Sequence, residues 1–289
     1  MKLAVSERVW SPAESASVRA LLPHWGVSGV GVLRDRVEGE GVQAVRAAVR
    51  LGAGWREQDI VPLALLDPAD GRHGTLWGEA APSFYGRMVE SLEIAAALEA
   101  PYVLLGAPSL RRVAPPAPMS RAHDLWLVAL QGLGERAQSM GVEIAIKPIP
   151  ATSGALFWRT TEEVFDTIQE SEAPAVWPVL DAASLARDAS PRSALAAYGG
   201  SAPFFTLGEL FGGPPCVQRA PRHQLWARDL ARLAALGRAP DWALWDADRD
   251  DGVRQAGPVI QRHIQSVRAV YGEALQVHPS GDGLPPGLR

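Results

Sequence analysis

The stretch VEIAIKPIP, residues 142–150, decides how the chain is read: a short apolar run climbs to a lysine, Lys147, and stops at a proline. Proline has no N–H to continue a strand ladder, so a strand over 142–147 has to end there. A run this short and this apolar fits a strand covered on both faces, as in parallel sheets, better than the alternation of a half-exposed one. It leaves a question: why does a charge sit where the strand emerges?

Seven further runs have the same character, at 2–6 (KLAVS), 27–33 (VSGVGVL), 59–66 (DIVPLALL), 102–105 (YVLL), 176–181 (VWPVLD), 203–207 (PFFTL) and 242–247 (WALWDA). Between and after them the hydrophobic period changes to that of amphipathic helices near 12–22, 40–53, 82–99, 120–140, 161–171, 190–198, 222–237 and 252–271. The fifth of these opens on a capping box, Thr160 and Glu163. Eight β-α units in about 270 residues is what a (β/α)8 TIM barrel of the α/β class requires. A doubly wound open sheet is the competing architecture. Against it, no Gly-rich phosphate turn follows the first strand, and GVGVLRD ends the second without opening a helix directly. The reading is one TIM-barrel domain over 1–272, followed by a Pro/Gly-rich tail at 273–289.

The apolar fraction of 47% supports a large core, and 28 basic against 32 acidic residues give a net charge of −4 with no long run of either sign. This balance points to neither a nucleic-acid nor a membrane-surface partner. The opening MKLAVSERVW is too short and polar for a signal peptide, and no apolar run is long enough to span a bilayer, so a soluble, cytoplasmic protein is expected. The one cysteine, Cys216, has no internal disulfide partner and reads as an incidental loop thiol.

Chemistry in such barrels gathers at the C-terminal strand ends. There the sequence places Ser6 and Trp10, Lys147, Asp181, Thr206 with Glu209, and Asp246 with Asp248 and Arg249.

On these residues the chain resembles the xylose isomerase-like TIM barrels, in particular the sugar phosphate isomerase/epimerase branch. KLAVSERVWSP resembles that branch's opening strand and tryptophan, and LEIAAALEAPYVLLGAPSLRR (92–112) its third helix, fourth strand and following loop; the likeness spans roughly 1–271. The resemblance implies a divalent metal (Mn, Mg, Co or Zn) held by a glutamate, an aspartate, a histidine and a second glutamate on strands five to eight, with the glutamates as acid/base pair. Position by position the match is incomplete. Lys147 stands where the first glutamate would be, ahead of a matching Pro148; Asp181 matches the aspartate; Thr206 replaces the histidine, with Glu209 retained three residues on; Asp246 replaces the last glutamate with a shorter carboxylate. His223, opening the seventh helix, is the nearest imbidazole-bearing residue in sequence, and Val179 stands where a further histidine is common.

Charge suggests an answer to the opening question. The metal with its three carboxylates leaves one negative charge, and so do Lys147, Asp181, Thr206 and Asp246 alone. Two carboxylates about 4 Å apart repel by roughly 4 kcal/mol at an effective dielectric near 20, and an ammonium between them relieves this while repelling an incoming cation. The expectation is therefore a degenerate metal site and no cofactor. The expected activity is that of a sugar or sugar-phosphate isomerase/epimerase, moving a proton next to a carbonyl of a small polyhydroxylated substrate. Its catalytic residues would be Lys147, Asp246, Asp181 and Glu209. Lys147 and Asp246 would flank the substrate, one as general base and the other as acid, with the ammonium also stabilising an enediolate oxyanion; for that Lys147 would need a lowered pKa, and a Schiff-base role for it is a further reading. The alternative is a non-catalytic carbohydrate- or partner-binding barrel, with those charges as a buried salt-bridge cluster.

Substrate contacts are expected from Trp10, Arg111, Arg112, Thr206, His223 and Arg249, the guanidinium forks suiting a phosphate or carboxylate and the indole a sugar face. Trp77, Trp158 and Trp245 are further candidate walls, His73 a mouth residue and GELFGGPPC (208–216) a lid or an ordinary turn. Barrels of this resemblance often pair, so a homodimer is part of the expectation.

Overall fold

A computed structural model describes residues 1–67, 81–106, 119–149, 156–186, 191–207, 221–246 and 256–276. Nine parallel strand segments lie in it: β1 (Lys2–Ser6), β2 (Gly29–Leu33), β3 (Val61–Leu66), β4 (Tyr102–Leu105), β5 (Glu143–Ile146), β6 (Val176–Pro178), β7 (Leu180–Asp181), β8 (Phe204–Leu207) and β9 (Trp242–Trp245). Their order around the sheet is β6-β5-β4-β3-β2-β1-β9-β8-β7.

The two ends of that order are one stretch of chain, which closes the barrel. The stretch expected as a single strand, 176–181, pairs with β5 through β6 and with β8 through β7. Pro178 cannot donate to a ladder; the Val179 N–H still reaches the Ile146 carbonyl at 2.9 Å, and from Leu180 onward the chain pairs on the other side. Eight expected strands thus become nine segments through one change of partner.

Nine helices flank the barrel among the described residues: α1 (Ser15–Leu21), α2 (Val42–Arg56), α3 (Ala81–Leu98), α4 (Met119–Ser139), α5 (Thr161–Ser171), the single turn α6 (Ala182–Leu185), α7 (Pro191–Tyr198), α8 (Pro221–Ala235) and α9 (Ala256–Gln276). The first expected helix is divided into a 3-10 turn, Pro12–Glu14, and α1. Half of the capping box is made: the Thr160 hydroxyl accepts from Glu163 N at 3.1 Å, but the Glu163 carboxylate accepts from Arg159 N at 2.8 Å instead of closing on Thr160. The stretch expected as tail contributes to α9, which runs to Gln276, buries Ala274 and accepts a 3.0 Å bond from the Met1 ammonium at the Ala274 carbonyl. No helix of the described residues is long and apolar enough to cross a membrane.

Strand period separates two cores. Leu3, Val5, Val103, Ile144, Ile146, Phe205, Ala243 and Trp245 face outward into the helix layer. Ala4, Leu104, Ala145, Val179, Phe204 and Leu244 fill the barrel itself. Helix α4 comes very close to the chain ahead of β6 where a side chain is missing: a Cβ on Gly134 would stand 2.3 Å from the Pro174 carbonyl oxygen.

Candidate active site

One inward step beyond the apolar barrel filling, the same register places Ser6, Lys147, Asp181, Thr206 and Asp246 at the C-terminal mouth. The structure brings together five of the residues singled out in the sequence. Lys147 Nζ donates to Asp246 Oδ2 at 3.2 Å and lies 3.5 Å from Asp181 Oδ1. Its stem passes over Gly106, whose absent Cβ would be 3.6 Å from Lys147 Cδ. The Thr206 hydroxyl donates to Asp181 Oδ1 at 2.6 Å.

Asp181 has a second task, as N-cap of α6. Its Oδ2 accepts from Ser184 N at 2.9 Å, and the Ser184 hydroxyl lies 3.1 Å from the same oxygen and 3.0 Å from the Pro148 carbonyl. The cap ties the loop after β5, which follows Lys147, to the end of β7.

Two residues that sequence reasoning passed over extend the cluster. Arg8, in the 3-10 turn after β1, donates from Nε to Asp246 Oδ1 at 3.1 Å and pairs through its terminal nitrogen with Asp67, which directly follows β3. The result is an alternating chain across the mouth, Asp67, Arg8, Asp246, Lys147, Asp181, with three carboxylates against two cations. Asp67 occupies the same place after β3 that Lys147 occupies after β5, so the strand-end rule reaches it. Arg8 lies one turn past its strand and meets partners 59 and 238 residues away, which no local pattern signals.

The electrostatics follow from burial and pairing. Burial works against the Lys147 ammonium, but the Asp181 and Asp246 carboxylates and the hydrogen bond to Asp246 outweigh it, and the amine is held well above the ordinary lysine range. A general-base or Schiff-base role would need a neutral amine, and this shift works against both. Burial likewise pushes the Asp246 carboxyl up, yet Lys147, Arg8 and a hydrogen bond from Ser6 hold it below the usual carboxylate range. At Asp67 the balance goes the other way: burial raises its pKa despite Arg8, with help from the nearby Asp246 and Asp35 charges.

A divalent metal does not fit the described donors. Asp181 and Asp246 turn their oxygens to Lys147, Arg8, Thr206 and Ser184, so a cation would have to displace an ammonium already seated between the carboxylates. Among the described residues no group of three His, Cys, Asp or Glu side chains converges.

Two expected substrate contacts lie elsewhere. Trp10 is 1% exposed, with its indole N–H bonded to Ser15 Oγ at 3.2 Å and its ring against Trp55 of α2, so its large apolar surface is spent on the helix layer. His223 is buried between α8 and α9, Nδ1 hydrogen-bonded to the Tyr271 hydroxyl and its ring edge-on to Trp226; burial lowers its pKa to about 4, and it is a neutral core residue. Trp158 and Trp245 are also packing residues, against Trp126 and His263. Arg111, Arg112, Glu209 and Arg249 lie outside the described residues, as do His73, Trp77, Cys216, Asp248 and the 208–216 loop.

No family model matches the sequence, and no curated protein is significantly similar to it. Solved structures do resemble the fold. The 3-keto-D-glucoside 4-epimerase YcjR from E. coli superposes with a TM-score of 0.75 at 14% identity, over 94% of this chain and 99% of that one. An L-ribulose 3-epimerase gives 0.74 at 13%, over 95% and 96%. A fusion protein of a xylose isomerase-like TIM barrel and a 4-hydroxyphenylpyruvate dioxygenase gives 0.68 at 17%, over 95% of this chain and 43% of the longer one. The architecture is that of the xylose isomerase-like TIM barrels.

Proposed function

We propose that the protein is an isomerase or epimerase of a small polyhydroxylated, sugar-like substrate, and that it moves a proton next to the substrate carbonyl without a divalent metal. The observation that carries the reading is Lys147 Nζ at 3.2 and 3.5 Å between the two inward-facing aspartates of the mouth. A charge fixed at that point, among largely buried side chains, is suited to stabilise the oxyanion of an enediolate as it forms. The neighbouring carboxylates keep the amine protonated, so its role is electrophilic: it attracts the developing negative charge or donates a hydrogen bond to it. Asp181, anchored by Thr206 and Ser184, fixes the ammonium in place. That two structures of the same fold are sugar epimerases supports the choice of substrate class.

A second reading is favoured by one feature of the same geometry. The charges pair with one another along the whole chain from Asp67 to Asp181, which is also how a binding barrel without catalysis would close its mouth.

Solvent-deuterium incorporation into D-fructose, D-psicose, D-tagatose and L-ribulose, followed by NMR in D2O with EDTA or with added Mn²⁺, separates the possibilities. Exchange at the carbon beside the carbonyl that survives EDTA and disappears in Lys147→Met is the expected result. Exchange that requires Mn²⁺ would restore a metal mechanism, and saturable sugar binding with no exchange would establish the binding barrel.

A further inference from the structure

The mouth contains three carboxylates in unlike environments, and the difference divides the work among them. Asp181 is fully buried and committed to Thr206, Ser184 and Lys147. Asp246 is bridged by both cations. Asp67 is the outer end of the chain: its side chain is 29% exposed, and Arg8 is its counter-ion.

The backbone marks the same residue. Asp67 has φ +53°, one of six described non-glycine residues in the left-handed region, in which aspartate is among the few side chains commonly seen. Strain of this kind is concentrated where a side chain has to be aimed. Here it turns the carboxylate off the end of β3 toward Arg8 and the mouth.

We propose that Asp67 is the group that takes the proton from the substrate and returns it, with Arg8 as the positioning residue that sets the carboxylate's direction. The assignment rests on the proton-transfer reading above. In the forward step an Asp67 oxygen takes the proton from the carbon beside the carbonyl. The C–H electron pair becomes the new C=C bond, the carbonyl π pair moves to its oxygen, and the Lys147 ammonium faces that oxygen. Donation from the Asp67 carboxyl to the former carbonyl carbon, as the hydroxyl on the neighbouring carbon passes its proton to the enediolate oxygen and becomes the new carbonyl, gives the isomer; donation back to the first carbon re-forms the substrate with its C–H bond and neutral carbonyl. Because Asp67 is partly exposed, its acid proton exchanges with water in between, which is how deuterium enters the sugar.

The charges around Asp67 agree with this role. Arg8 lowers its pKa, while burial, Asp246 and Asp35 raise it, with a net upward shift toward the pH at which a carboxylate can both accept and release a proton. Lys147 and Asp246 are shifted away from such cycling.

The deuterium experiment is repeated with Asp67→Asn, which keeps the shape and an acceptor for Arg8, and with Asp67→Glu, which keeps the acid. Asp67→Asn should lower exchange by about a hundredfold or more with sugar affinity little changed, Asp67→Glu should retain more of it, and both should melt near the parent temperature. In protein labelled with ¹³Cγ aspartate, the resonance lost in Asp67→Asn should titrate above the ordinary aspartate range. If the parent exchanges and Asp67→Asn exchanges within tenfold of it, this assignment fails and the proton-transfer reading stands. If the parent exchanges none of the sugars, that reading fails and takes this assignment with it.

Discussion

The barrel interior has two layers separated by one inward step along each strand, and they are stabilised by opposite means. Below lie Ala4, Ala145, Val179, Phe204 and Leu244, which need only fill space. Above lie Ser6, Lys147, Asp181, Thr206 and Asp246, each of which needs a named partner. Burial of apolar surface tolerates small changes of shape, whereas a buried charge is costly as soon as its partner leaves. The lower layer therefore reports on stability, and the upper one on a purpose for which stability is given up.

The largest effect should come from leaving the upper layer half-paired. Lys147→Met strands two buried carboxylates and should destabilise the fold by about 3–5 kcal/mol in chemical denaturation. Replacing the whole group, Lys147→Met with Asp181→Leu and Asp246→Leu, should recover that loss and reach or exceed the parent stability by up to about 4 kcal/mol while abolishing any activity. Leu244→Ala in the lower layer should cost about 2–5 kcal/mol, with no dependence on pH or salt. A triple variant less stable than Lys147→Met would break the distinction between the layers.

Next in size is a pH effect from a buried carboxyl outside both layers. Glu7 is 1% exposed, accepts a 3.0 Å bond from Leu33 N, and has its pKa raised to about 7, chiefly by burial. Its folded pKa lies above the unfolded value of 4.5, so its contribution is fully present below pH 4.5 and is lost as pH rises to about 7. That loss is worth about 3 kcal/mol at 1.36 kcal/mol per unit. Denaturant midpoints of Glu7→Gln should show this fall removed from the parent profile; an unchanged slope between pH 4.5 and 7 would count against the buried, sparsely paired Glu7. Asp246, with its lowered pKa, acts in the opposite sense, losing its contribution as pH falls through the acidic range.

Smaller still, Thr206→Val removes the 2.6 Å donor to Asp181 and should cost about 1.5–3 kcal/mol, measured by the same denaturation. Smallest is Thr160→Ala, the cap of α5, at about 1 kcal/mol.

Much of this was legible in the sequence because one rule serves both layers. Short apolar runs marked the strands, and period two then placed Lys147, Asp181, Thr206 and Asp246 on the inward side where each run ended. The change of partner after Pro178 was not legible: loss of one N–H permits it, but the position of β8 causes it. Trp10 and His223 were misplaced for a related reason. Aromatic surface suits a sugar and a helix layer equally well, and only packing against Trp55 and Tyr271 decides between them. Arg8 escaped because its long side chain joins strand ends that sequence keeps far apart.

On this reading Lys147 stays charged between Asp181 and Asp246. Its side-chain ¹⁵Nζ and ¹³Cε resonances, assigned by their loss in Lys147→Met and followed against pH, test it most directly. The ammonium should keep its proton through the range in which ordinary lysines lose theirs. A titration below that range would contradict it, and would make Lys147 the base or nucleophile of a different mechanism.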